Sequence, residues 1–315
     1  MASSSFILSE SGSSSKDPKK VWINRYLRID REFNKELNEA LVQAAEDVER
    51  EVTELFAKAG VGATVRRAQL TGASGVITKV LHALFLSSGT LIGTYRAKAA
   101  TESVKAANVW DDEVLKALIP DPAKRKVFKS SLELTASRNV EAMVKRVTGD
   151  TVTLSRRVYR SEALARGQID RVINSSLAKG DSAAELARKA KAFIHPSTPG
   201  GASYAAKRLG RTEINNAFHA QAIETNKSRP WVSQIRWHLS GSHTPRPGDP
   251  CERYYRQGVF PVGSTPKKPH PQCLCYITPE VPPIEVILQQ YESGIYDQWL
   301  ADNRLERDSR VLSPA

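Results

Sequence analysis

The chain has 315 residues, enough for two folded regions, and its 46 Lys and Arg against 34 Asp and Glu give a formal net charge of +12. Three cysteines cannot make a disulfide framework, and no apolar run reads as long enough to cross a bilayer, which disfavours a stapled extracellular domain and a membrane-spanning role. The charge is uneven: residues 151–280 hold 20 Lys and Arg against 9 Asp and Glu, residues 281–315 only 3 against 6, so contact with a polyanion is expected of one region.

Residues 1–20 are Ser-rich, and Phe6, Ile7 and Leu8 form too short an apolar patch for a secretory signal, so they read as a disordered arm. Residues 21–148 read as a helical region. Phe33, Leu37, Leu41, Ala44, Val48, Val52, Leu55 and Phe56 recur at three- and four-residue steps, which predicts a long helix ended by Gly60 and Gly62. So extended a stripe is expected to dock on another protein. A second helix is predicted from Ser74 through Val76, Ile77, Val80, Leu81, Leu84 and Phe85, and a third from Leu91 towards Ala107. Segments Asp111 to Ile119 and Asp121 to about Val147 follow, with Pro120 and Pro122 between them.

At Gly149 the texture changes, and residues 149–280 read as a separate domain. Val152, Leu154 and Val158 suggest a short strand or extended entry ahead of a helix from about Ser161 to Leu177. Ser182 and Glu185 have capping-box spacing for the next helix, and another is expected from Tyr204 to about Asn226. Residues 231–239 have strand composition, and Tyr276 with Ile277 reads as a returning strand. Residues 281–315, with Ile284, Ile287, Leu288 and Tyr291, read as a helical tail. The fold class is therefore α+β, predominantly α, with a small sheet and a Cys/His loop in its C-terminal part.

Chemistry concentrates in that loop. Cys251, Cys273 and Cys275 are the only cysteines and share a Pro/Gly-rich stretch with His243 and His270. Cys251, His270, Cys273 and Cys275 would supply the three thiolates and one imidazole of a tetrahedral zinc site. Small buried hydrophobes are the alternative use of these cysteines, and a cysteine nucleophile with His243 or His270 as base and Asp249 as orienter is another. In RLGRTEINNAFHAQA, Thr212 reads as a helix cap, Glu213 as a partner of the helix dipole, and Arg211 as a partner for an internal carboxylate. Arg156, Arg157, Arg160, Arg188, Lys189, Lys191, Lys207 and Arg208, interleaved with Tyr159 and Tyr204, suit either contact with DNA phosphates or a solvated face. No phosphate-binding Gly-rich loop ending in Gly-Lys-Ser/Thr and no His-Glu-x-x-His pattern occurs.

Taken in order, Gly210 to Glu213, Trp237, Ser242 with His243, Asp249 with Cys251, Gly258 to Pro261, and Pro269 to Cys275 resemble the head morphogenesis family named after the F protein of bacteriophage Mu. The resemblance covers about residues 150 to 280. Gly210 stands where alanine is usual, Leu274 where arginine is frequent, and Tyr254 where many members carry another cysteine. It implies a minor capsid protein made in the host cytoplasm and carried in the virion, in the capsid interior at the portal vertex. Its implied partners are the portal protein, other head proteins and packaged double-stranded DNA, with no membrane in the assembled head. The resemblance implies no catalytic role; a metal- or cysteine-dependent hydrolase acting on nucleic acid is the alternative reading.

Overall fold

In the computed structural model, which describes residues 18–58 and 67–307, the apolar stripe of the first helix is the spine of the molecule. Helix α1 (Pro18–Ala57) starts earlier than its periodicity suggested and lies antiparallel to α2 (Arg67–Trp110). Contacts at Trp22–Trp110, Arg25–Glu102, Phe33–Tyr95 and Leu55–Gly72 set that register. The stops expected at Gly60 and Gly62, and residues 1–17 of the expected arm, lie outside the described residues.

Helix α2 merges the second and third predicted helices, because Gly89 does not end the helix. It lets α6 (Leu154–Lys179) come close: a Cβ at Gly89 would lie 3.1 Å from Val158. From Thr71 to Trp110, α2 is the one helix among the described residues long and apolar enough to cross a membrane, which corrects the sequence reading that no such run exists. Its Ile77, Leu81, Leu84, Phe85, Ile92 and Ala99 are buried in this protein, where α2 packs on α1, α6 and α8 (Gly201–Lys227), so the core takes up part of that apolar surface.

The expectation that the α1 stripe docks on another protein is also overturned. Phe33, Leu37, Leu41 and Val48 are fully buried within the chain, as α1 packs on α2, α8 and α7 (Ala183–Ile194). Helices on both sides of residue 149 share one continuous core from Trp22 to Leu300, so the change of texture there marks a helix boundary and not a separate core. At Gly210 the ring of Phe33 lies against the α8 backbone, and a Cβ there would fall 2.0 Å from the ring. Gly210 is thus matched to an aromatic 177 positions earlier in the chain. Gly210→Ala is expected to lower stability by about 1–3 kcal/mol in urea titrations, and Phe33→Leu in that background to restore part of the loss. An unshifted midpoint for Gly210→Ala would contradict the packing described.

From Leu154 onward the segment read as a short strand or extended entry is helical. Thr153 Oγ1 accepts the Arg156 N–H at 3.3 Å at the start of α6, and the buried Val158, Ala165, Ile169 and Ile173 follow helical spacing. The predicted segment after Pro122 divides at Asn139 into α4 (Pro122–Arg138) and α5 (Val140–Thr148), after the short α3 (Asp112–Leu118). Ser182 does cap α7, its Oγ accepting the Glu185 N–H at 3.2 Å.

The sheet is three-stranded and antiparallel, with β1 (Gln234–His238) between β2 (Val259–Pro261) and β3 (Tyr276–Glu280). The fold is thus predominantly α, with a small sheet of the α+β kind. Helices α10 (Ile284–Glu292) and α11 (Asp297–Asp302) form the tail, which folds back on the body: Trp299 packs on Trp231 at 5.1 Å and on Phe128 at 5.6 Å.

Candidate metal centre

The cysteine loop is positioned from three sides. Asp249 caps α9 (Pro250–Gln257), accepting the Cys251 N–H at 2.8 Å, and Pro250 fits the first helical position without needing a donor. This puts the Cys251 thiol, fully buried, at the N-terminal end of α9. On the other side, Cys273 and Cys275 immediately precede β3, which pairs with β1 through Trp237↔Ile277 and His238↔Tyr276. The motif helix α8 supplies the third side. The Gln272 N–H donates to Thr212 Oγ1 at 3.1 Å from a left-handed backbone (φ 59), and Asn215 Nδ2 donates to the Cys273 carbonyl at 3.4 Å. Lys268 Nζ donates to the Cys273 carbonyl at 3.2 Å and to that of Cys275.

Cys251, His270 and Cys273 bring their ligand atoms within 4.8 Å of one another and could hold a metal ion. Bond lengths of about 2.3 Å to sulfur and about 2.0–2.1 Å to nitrogen in a tetrahedron space the donors about 3.8 Å and about 3.6 Å apart. Cys251 Sγ lies 3.5 Å from Cys273 Sγ and 3.4 Å from His270 Nε2, close to those spacings without any rearrangement. His270 Nδ1 faces the Pro271 carbonyl at 3.0 Å. With the proton there, the Nε2 lone pair is left for a ligand. Cys275 is not one of these three, but its thiol interacts with those of Cys251 and Cys273, and its Sγ lies 4.0 Å from His243 Nδ1. Without a metal the thiols compete for one charge. The hydrogen bond between Cys251 and Cys273 holds the Cys273 thiol well below the usual range and pushes that of Cys251 far up. A bound cation would relieve the competition.

Tyr254, where another cysteine stands in many relatives of the resembled family, packs its ring on Trp237 at 5.1 Å and on Phe260 at 5.9 Å. A relay from Asp249 through His270 to Cys251 is not formed, since the same Nε2 faces both the sulfur and, at 3.8 Å, the Asp249 carboxylate.

Set against family models, curated proteins and solved structures, the chain matches none.

Around the centre, several sequence readings are revised. Thr212 is not a cap: it lies inside α8, donating Oγ1–H to the Arg208 carbonyl at 2.7 Å. Glu213 is buried mid-helix, paired with Arg157 at 2.7 Å and 3.8 Å from Arg96, and burial pushes its carboxyl up. Arg211 pairs with Asp30, 3.1 Å away, as expected. His219 on α8 was not singled out by sequence. Burial pushes it down to about 3, with the Lys268 charge adding to the shift, so it is neutral and donates Nε2–H to the Pro266 carbonyl at 2.8 Å.

Of the eight basic residues read as DNA contacts, five are engaged within the protein. Arg157 holds Glu213, Arg188 pairs with Glu185 at 2.6 Å, Lys189 with Asp181, and Lys191 with Glu49 at 2.5 Å. Lys207 donates to the Pro196 carbonyl at 3.4 Å. Arg156, Arg160 and Arg208 are exposed and form no ion pair among the described residues.

Proposed function

We propose that this chain is a minor capsid protein acting in the head morphogenesis of a tailed phage, associated with the portal and the packaged DNA, and that its Cys/His centre holds zinc. The observation that carries the reading is convergence: stretches of the resembled motif set, up to about 60 positions apart, meet at one centre. Thr212 of the motif helix bonds the Cys273 loop through Gln272, Asp249 orients Cys251, and Trp237 meets edge to face the Tyr254 that follows Cys251 in α9. An ordered motif whose members touch is one structural unit, which supports kinship more than any single pattern does.

Zinc suits two or three thiolates and an imidazole better than the oxygen-loving cations do. Cys275 is the nearest further donor for a closed, four-ligand structural site. In this reading the protein acts by assembly and genome contact and not by substrate turnover. A tagged copy expressed in cells producing heads of the encoding phage is expected to sediment with the capsids. Recovery of the tagged chain only in the soluble fraction, with normal heads formed, would overturn the assignment.

A further inference from the structure

Three clefts run together across the face that carries the cysteine loop. The first, about 610 Å³, lies between α6, the start of α8 and residues 267–271. The second, about 800 Å³, spans α8 and the loop at 240–250, and shares Tyr204, Arg208, His270 and Pro271 with the first. The third, about 620 Å³, lies along α9 and shares residues 246–250 with the second. Together they form one groove.

Its charge is one-sided. Arg160, Lys267, Arg208, Arg246, Arg253 and Arg256 line it in that order of clefts. All six are exposed and none has an ion-pair partner among the described residues, while Lys267 Nζ also donates to the Thr148 carbonyl at 3.1 Å. The carboxylates that line it are already engaged. Asp150 accepts the Val152 N–H at 2.8 Å, Glu213 holds Arg157, Asp249 caps Cys251, and Glu252 meets His243 at 3.1 Å. Six cations outside any ion pair outnumber these four carboxylates, so the groove concentrates a positive potential where a chain of phosphates would lie. At the junction of the first two clefts Tyr204 is 53% exposed, with Arg208 one helical turn along the same helix face. An aromatic face beside a phosphate-binding arginine is what a stacked base needs. A base paired inside a duplex is not free to stack on a side chain, so an exposed Tyr204 beside Arg208 favours an unpaired strand.

We infer that this groove binds a single-stranded stretch of nucleic acid, with its phosphates on the six cations and a base stacked on Tyr204. The inference takes from the proposed function only that the chain contacts nucleic acid; the single strand is argued from the groove cations and Tyr204, and the capsid assignment is not needed for it.

The test is anisotropy of a fluorescent oligothymidylate of about a dozen nucleotides, a length within the range such sites cover, titrated with the metal-loaded full chain across a salt series. Arg208→Glu with Arg246→Glu is expected to weaken binding at least about tenfold and to flatten the logarithmic salt slope by about 1.4, the share of two phosphate contacts on a single strand. Tyr204→Ala is expected to weaken it by about five- to one-hundred-fold. Arg188→Glu with Lys189→Glu, on engaged cations of α7, should leave it unchanged, with circular dichroism and metal content checking the fold of each variant. Tighter binding of a duplex of the same length, or equal loss from the α7 and groove reversals, would overturn the inference. A chain that enters heads but does not bind the oligonucleotide would defeat the groove and leave the capsid reading standing.

Discussion

Asp111→Ala is expected to lower the unfolding free energy by about 3–5 kcal/mol, because it strands a buried guanidinium. Asp111 and Arg229 are each about 1% exposed, and Arg229 Nε donates to Asp111 Oδ2 at 2.9 Å. Arg229 also donates through Nη2 to Asn108 Oδ1 at 2.8 Å, and Trp231 Nε1 donates to the other Asp111 oxygen at 3.2 Å. The guanidinium lies over the rings of Phe128 and Trp231, at 5.5 and 5.6 Å. This one charge therefore joins the end of α2, α4, the approach to β1 and, through Trp231 and Trp299, the tail. Burial raises the Asp111 carboxyl against the pull of Arg229, so the pair forms at a desolvation cost and its worth lies in being complete. Replacing both partners, Asp111→Leu with Arg229→Met, should recover most of what the single change loses. Urea midpoints for the three proteins check this. A single change that shifts stability by less than about 1 kcal/mol would show that the charge has another route to solvent or another partner.

What could be read from the sequence was set by local periodicity, and what could not was set by distant partners. The α1 stripe is legible because Phe33, Leu37 and Leu41 repeat at helical spacing. That the stripe is covered by α2, α7 and α8 of the same chain is not, since no local pattern encodes it. Two alternating positions, Val152 and Leu154, outweighed the helical spacing of Val158, Ala165 and Ile169 that follows, and turned the start of α6 into a strand. Basic residues could be counted, but Lys191 pairs with Glu49 and Arg157 with Glu213, across 142 and 56 positions, so free and engaged cations look alike in sequence. The groove cations Arg246, Arg253, Arg256 and Lys267 lie in loops and on a short helix, without the basic clustering that marks α6 and α7 in the sequence.

The cysteine centre was the most legible part of the site, since crowding in a Pro/Gly-rich loop singled out Cys251, Cys273 and His270 together. The place of Cys275 depends on the left-handed turn at Gln272 and on the bond that turn makes to Thr212, and neither has a local signature. If the centre holds zinc, the binding energy of the metal is also folding energy for residues 240–280, because that stretch has few buried apolar groups besides its cysteines and β3 to hold it. Chelation should then open the loop while the α1–α2–α8 core stays folded. Cys251→Ser and Cys273→Ser should match the chelated protein, and His270→Ala should weaken metal retention with less damage, as its side chain is 39% exposed and the thiols are buried.

The decisive measurement is metal content by mass spectrometry on protein purified without added metal, read beside limited proteolysis of residues 240–280, for the unaltered chain and for Cys273→Ser. About one zinc per chain, lost in Cys273→Ser together with protection of the loop, is the expected result. Unaltered protein free of metal whose loop resists protease as well as any zinc-loaded sample would contradict it.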